Sequence, residues 1–437
     1  MRAFHYRNQR LHCEEADLEA VAAKFGTPLY VYSAGTIRDH YRRLDRAFDQ
    51  LDHLICYAAK ANTNRAVLSL LSREGAGFDI VSGGELARVI AAGGAPDKCT
   101  FAGVAKSIEE MEFALDRGIF SFNVESEAEL SQIDQIAGCR GMKAPVALRV
   151  NPDVAAGTHK YVSTGTSENK FGIGLDRIRH VYEAASRLPN IHLRGLQMHI
   201  GSQITQAQPF VDAIAKLSPL VLELKARYGI EFFSVGGGMG IVYESSFSSG
   251  RGGWWKEEGQ PERKLPTLTI DEYASAIVPS LRTFGLRILL EPGRVLVGNA
   301  GVLLTRVRYL KQAGQRQFVI VDAGMNDLIR PALYQSYHEI VPVREPSAST
   351  GEKGRYDVVG PVCESGDFFA ENRELPEIRE GDLVALMSAG AYGFVMASNY
   401  NSRPLPAEVL VRSQDAALVR ERQPVGDLMR GERDTDF

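Results

Sequence analysis

Five cysteines are scattered through 437 residues, at positions 13, 56, 99, 139 and 363, with no C-x-x-C pair among them. Neither a disulfide framework nor a cysteine-based zinc site can be read from that usage, which suits a reducing compartment. His, Asp and Glu do not recur at metal-ligand spacing either, so no metal site is expected. No apolar run approaches the roughly 18 residues a membrane-spanning helix needs, and the start, Met1-Arg-Ala-Phe-His-Tyr-Arg7, lacks the apolar core of a signal peptide. An excess of one charge is also missing: 50 Lys and Arg against 54 Asp and Glu leave a net charge of −4, which gives no electrostatic footprint for nucleic acid or another polyanion. The expectation is a cytoplasmic protein with no nucleic-acid or membrane partner. Its 44% hydrophobic and 24% charged residues are ordinary for a globular enzyme, and the length suggests two or three domains.

Between about residues 50 and 295, short runs rich in Val, Ile and Phe alternate with helix-like stretches, the pattern of parallel βα units. Eight such runs can be read: Leu54–Ala58, Gly77–Val81, Cys99–Ala102, Phe120–Val124, Val146–Val150, Leu193–His199, Phe232–Val235 and Ile288–Leu290. Eight units predict an α/β fold with a closed (β/α)8 barrel of the TIM type, in which functional groups sit where strands end and βα loops begin. After about residue 295 the apolar runs come closer together, as in Gly301–Val307, Gln317–Asp322, Tyr356–Val359 and Leu383–Met387, and predict a mostly β second domain. The run Pro28–Tyr32 lies ahead of the barrel and is expected to join that β domain. The division expected is a barrel over 33–290 and a β domain made of 1–32 plus 291–437. Residues Glu244–Pro266, around Trp254 and Trp255, read as a long inserted loop.

Several strand ends carry reactive chemistry. Lys60, in Tyr57-Ala-Ala-Lys60-Ala-Asn62, closes the first apolar run, where burial would lower its pKa and leave an amine able to form a Schiff base. Asp79 lies in the second run. His199-Ile-Gly-Ser202-Gln203 offers a flat imidazole and a hydroxyl. Gly236, Gly237 and Gly238 expose successive backbone N–H groups suited to a phosphate, without matching the G-x-G-x-x-G dinucleotide pattern. Glu291-Pro-Gly293-Arg294 adds a carboxylate that could keep a pyridine nitrogen protonated and a guanidinium for a phosphate or carboxylate. Each has a plain structural alternative: a solvated lysine, a structural histidine, a tight turn, a surface ion pair. Together they match what pyridoxal 5′-phosphate (PLP) requires.

These motifs, with Cys363-Glu364-Ser-Gly-Asp367 and Gly390-Ala-Tyr392-Gly393, resemble in order and spacing the PLP-dependent decarboxylases of the alanine-racemase fold, over nearly the whole chain. Within that group the diaminopimelate decarboxylases are the branch most similar, through Met325-Asn-Asp-Leu-Ile-Arg330-Pro-Ala-Leu-Tyr334, the Cys363 segment, Thr158–Gly165 and Asn169–Ile173. The resemblance implies decarboxylation of meso-2,6-diaminopimelate to L-lysine and CO2. It implies PLP carried on Lys60, with Asp79, His199, Ser202, Gly236, Gly237, Gly238, Glu291, Gly293, Arg294 and Tyr392 around the cofactor. Lys60, His199, Glu291 and Cys363 are the implied catalytic set, Cys363 being the acid that reprotonates the α-carbon. Arg330 with Tyr334 would take the substrate's distal carboxylate and Glu364 its distal ammonium, with Arg294 and Tyr392 also near substrate. A homodimer with shared active sites is implied as well. Two alternatives stay open: a same-fold decarboxylase of ornithine, lysine, arginine or carboxynorspermidine, and a PLP-binding protein without catalysis.

Overall fold

The computed structural model describes residues 3–154, 170–244, 246–247, 268–345 and 353–436. Thr158–Gly165, Asn169, and Trp254 with Trp255 and most of the loop around them lie outside the described residues. The chain divides into two compact units: one runs Arg38–Ile241 and closes at Leu296, the other takes in the chain up to Ile37, the stretch beginning at Val242, and everything from Val297 on.

The first unit is a closed barrel of eight parallel strands: β1 His53–Ala58, β2 Gly77–Ile80, β3 Cys99–Phe101, β4 Ser121–Val124, β5 Ala144–Asn151, β6 Ile191–Met198, β7 Phe232–Ser234 and β8 Arg287–Leu290. Each strand pairs with the next in chain order, and β8 closes on β1 through Ile288–His53, Leu289–Leu54 and Leu290–Ile55. All eight fall within a few residues of the apolar runs, because strands covered on both faces need continuous hydrophobic sequence. Inside the barrel Cys56, Phe120, Ala147, Phe232 and Leu289 pack into one cluster; truncating a buried ring such as Phe232 to Ala would cost about 3–5 kcal/mol.

Local signals set the chain's course out of each strand. Asn64, Ser82, Ser107, Ser126 and Thr269 cap the helices Arg65–Arg73, Gly83–Ala91, Ile108–Asp116, Glu127–Cys139 and Ile270–Arg282, each side chain accepting an early helix N–H. Ser107 with Glu110 and Thr269 with Glu272 form full capping boxes, worth about 1 kcal/mol each. The first four of these caps lie two to six residues past the preceding strand ends and keep those βα loops short, whereas Thr269 follows the long insertion after Ser234.

In the second unit the strand Leu29–Ser33 lies between Gly301–Ala313, antiparallel to it, and Ala407–Arg412, parallel to it. Leu383–Leu386 pairs with Gly301–Ala313 as well. Leu11, Val31, Val302, Leu304, Ala385 and Val409 share one core cluster. The buried Tyr30 and Tyr32 satisfy their hydroxyls on the Asp327 carbonyl at 2.6 Å and on Glu408 at 2.8 Å, as buried phenols must. A hairpin, Phe4–Arg7 with Arg10–Cys13, and the helix Leu18–Phe25 precede this strand; neither stands out in the sequence pattern. No helix among the described residues is long and apolar enough to cross a membrane.

Candidate active site

Lys60 lies in the single 3-10 turn Ala59–Ala61 directly after β1. Its Nζ is 2.8 Å from Asp79 Oδ2, with the lysine side chain 39% exposed and the aspartate 2% exposed. The ammonium therefore reaches the mouth while its counter-ion stays in the barrel. Asp79 Oδ1 is buried with no hydrogen-bond partner among the described residues.

Glu291 comes directly after β8, its N–H donating to the Gly236 carbonyl at 2.9 Å. Its buried carboxylate accepts from Ser234 Oγ at 2.7 Å, Gln197 Nε2 at 2.9 Å and Asn123 Nδ2 at 3.4 Å. Burial and then the Asp79 carboxylate push its pKa from 4.5 up to about 7, against the pull of those hydrogen bonds and of Lys60.

His199 is the first residue past β6, which ends at Met198. The Gly237 N–H donates to its Nδ1 at 3.2 Å, so in the neutral ring the hydrogen sits on Nε2. Burial first, then Arg149 and Lys60, hold the imidazole well below its usual range and therefore uncharged. The three glycines leave no room for side chains: a Cβ on Gly236, Gly237 or Gly238 would lie 2.3, 2.1 and 2.3 Å from a backbone oxygen, and Gly238 sits at φ +110°. Gly236 N–H goes to Ser234 Oγ at 3.2 Å and Gly237 N–H to His199, so Gly238 is the one of the three whose N–H has no acceptor among the described residues. Arg294, buried at the start of the short helix Arg294–Val297, donates to Ser202 Oγ at 3.1 Å. Lys60, Asp79, His199, Ser202, Gly236 to Gly238, Glu291, Gly293 and Arg294 are thus brought together at one end of the barrel.

Sequence reading missed the groups that hold these in place. Asn123, Gln197 and Ser234 fix Glu291, and each interrupts an otherwise apolar strand, which was the available signal. Buried Arg149 pairs with Glu125, both contacts at 3.2 Å, and Glu125 also accepts from the N–H of Gly103 and Gly172.

The other expected residues lie in the second unit. Arg330 opens the helix Arg330–Tyr334, is 5% exposed, and stands over the rings of Tyr243 and Tyr334, 5.1 and 5.8 Å from their centroids. Cys363 and Glu364 are exposed on a tight turn. Buried Asp367 ties that turn to the Arg330 segment by accepting the N–H of Val362 and of Met325, both at 2.6 Å. The Cys363 N–H donates to Asn401 Oδ1 at 2.8 Å, and Glu364 bonds Tyr400, raising the phenol's pKa. Tyr392 sits at φ +56° between Gly390 and Gly393, a strained backbone of the kind found at functional positions.

Residues 34–298 match the family model described as pyridoxal-dependent decarboxylase, pyridoxal binding domain. A diaminopimelate decarboxylase of Pseudomonas fluorescens is 48% identical over 99% of this chain and 99% of its own length. The chain belongs to the diaminopimelate decarboxylases. One from Vibrio cholerae is 47% identical over 97% of both chains. The crystal structure of a diaminopimelate decarboxylase from M. jannaschii in complex with L-lysine superposes with a TM-score of 0.89, at 35% identity, covering 100% of this chain and 99% of that one.

Diaminopimelate decarboxylases are PLP enzymes, and the barrel mouth fits that cofactor. Lys60 supplies an amine beside a buried, partly unsatisfied carboxylate. The glycine cradle would be closed by any Cβ. Arg294, bonded to Ser202, and the Gly238 N–H offer anion donors, and Glu291 provides a fixed carboxylate for a ring nitrogen.

Proposed function

We propose that this chain decarboxylates meso-2,6-diaminopimelate to L-lysine and CO2, the last step of lysine biosynthesis, as a PLP-dependent carboxy-lyase of the cytoplasm. The observation that carries the reading is identity of 47–48% with diaminopimelate decarboxylases over essentially the full length. Arg330 gives the chemical reason: a substrate with an amino-acid group at each end needs a cation for the end that does not react, whereas ornithine and lysine have no carboxylate there.

Lys60 holds the cofactor, with Asp79 as its counter-ion. Bound there, PLP supplies the electron sink for the pair left when the carboxylate departs as CO2. Glu291, fixed by Ser234 and Gln197, stays ionised against a protonated ring nitrogen and keeps the proton on it. His199, with its tautomer set by Gly237 and held uncharged by burial, would lie against the cofactor without adding charge. Ser202, Arg294 and the Gly238 N–H would bind the phosphate, while Gly236, Gly237 and Gly293 leave it room, the first two N–H groups being taken by Ser234 and His199. Cys363 delivers the thiol proton to the α-carbon, so that a C–H bond replaces the C–CO2 bond, and Tyr392 lines the reacting groups. Arg330 with Tyr334 takes the distal carboxylate and Glu364 the distal ammonium.

A head-to-tail homodimer completes the reading, each site receiving Cys363 and Glu364 from the second copy; the exposure of both side chains in a single chain supports it. Analytical ultracentrifugation at assay concentration should find dimers, and a fully active monomer would refute this assembly. The main test compares CO2 release and lysine formation from meso-diaminopimelate with turnover of L-lysine, L-ornithine and L-arginine, in wild type and Arg330→Ala. Selective turnover of diaminopimelate that the variant loses is expected. Preference for ornithine, or indifference to Arg330→Ala, would move the protein to the polyamine-type branch.

A further inference from the structure

The chain after the Arg330–Tyr334 helix doubles back on the helix's first residue. Gln335 ends the helix in the left-handed region at φ 51°, and the reversal carries Ser336 and His338 to the Arg330 side chain. Arg330 Nη2 donates to Ser336 Oγ at 3.2 Å and Nε to His338 Nε2 at 3.4 Å. His338 is 0% exposed, and its Nδ1 is 2.8 Å from the Met387 carbonyl oxygen. A carbonyl oxygen only accepts, so Nδ1 carries the hydrogen and Nε2 of the neutral ring is a lone pair. That tautomer suits a guanidinium, which has donors and no acceptor. Tyr243 packs against both groups, its ring edge-on to the imidazole with centroids 5.3 Å apart and 5.1 Å from the guanidinium carbon.

We propose that His338 is a positioning residue for Arg330: held by the Met387 carbonyl as the neutral Nδ1–H form, it presets the plane of the guanidinium that receives the substrate's distal carboxylate. The proposal rests on the role of Arg330 under the proposed function. An arginine has many rotamers to lose on binding, and one already locked into its fork loses fewer when the carboxylate arrives, so the benefit falls on substrate affinity.

The test is steady-state kinetics of the PLP-loaded, full-length enzyme with meso-diaminopimelate, alongside the absorption spectrum of the bound cofactor. His338→Gln places an amide oxygen near the Nε2 position, His338→Asn reaches only the Nδ1 position, and His338→Leu reaches neither. For Leu and Asn the expected result is a KM raised about tenfold or more, the size of a lost hydrogen bond to a charged group, with the loss on KM rather than kcat and the cofactor spectrum preserved. Gln should recover most of it. A wild-type KM in His338→Leu, or a loss confined to kcat, overturns the proposal. If Leu does not fold, the Gln and Asn pair decides, and Asn performing as well as Gln overturns it. A wild-type enzyme with no diaminopimelate turnover would instead overturn the role of Arg330, and this proposal with it.

Discussion

Replacing Glu291 by Gln should abolish activity and yet stabilise the cofactor-free protein at alkaline pH. The carboxyl's pKa is raised from 4.5 to about 7 by burial and by Asp79. Each pKa unit corresponds to about 1.4 kcal/mol, so the rise amounts to about 3 kcal/mol. Because the folded carboxyl keeps its proton to higher pH than the unfolded one, this penalty is absent below about pH 4.5, grows as pH rises, and is complete above about pH 7. A neutral Gln carries none of it. The substitution turns one acceptor oxygen into a donor facing Gln197, but Gln197 Oε1 has no hydrogen-bond partner among the described residues, so the Gln197 amide can flip and accept. Urea unfolding of PLP-stripped wild type and Glu291→Gln at pH 5 and pH 8 should show the variant ahead by no more than about 1 kcal/mol at the lower pH and by up to about 3 kcal/mol at the higher. With PLP bound the order should reverse, since the amide cannot balance a protonated ring nitrogen. A variant less stable than wild type by the same margin at both pH values would refute the reasoning.

Gly238→Ala meets both a left-handed backbone and an oxygen 2.3 Å from the new Cβ; strain of about 1–3 kcal/mol should weaken PLP binding at least several-fold in titrations of the cofactor-free protein, and unchanged affinity would remove the glycine turn from the phosphate site. Cys363→Ala should keep PLP bound and lower lysine formation by about 10²–10⁴-fold, whereas turnover near the wild-type rate would take the thiol out of proton delivery. Lys106, wholly buried, bonds Glu129 and the carbonyls of Gly103 and Asn123; Lys106→Met should cost about 3–5 kcal/mol in urea unfolding by stranding Glu129, and adding Glu129→Leu should recover much of it. A single variant as stable as wild type would show that the pair contributes nothing.

The barrel was legible because a parallel strand covered on both faces must be written as an unbroken apolar run, and because reactive residues cluster where such runs end. Lys60, His199 and Glu291 each stand just past a strand and could be found by that rule alone. Their supports could not: Gln197 and Glu291 meet from strands one apart in the barrel but far apart in the chain, and no local pattern encodes such a meeting. His338 was missed for a different reason. It looks like one more buried histidine until the left-handed Gln335 turns it back onto Arg330, and a non-glycine residue in that conformation leaves no mark in composition or periodicity. The strand Leu29–Ser33 and one partner, Gly301–Val307, were visible as runs, while their pairing and the second partner, Ala407–Arg412, were not.

The strand Leu29–Ser33 constrains how the molecule can be made. Tyr32 pairs with Gly301, and Val31 with both Val302 and Val409, so a segment made before the barrel finds its neighbours only after the entire barrel sequence, and on one side the further stretch up to Ala407–Arg412, has been synthesised. Until then an apolar strand waits with both edges open, the state most prone to pairing with the wrong chain. Slow late steps in refolding, and a gain from chaperones that shield the waiting segment, are the expected signature of a strand whose partners are synthesised so long after it.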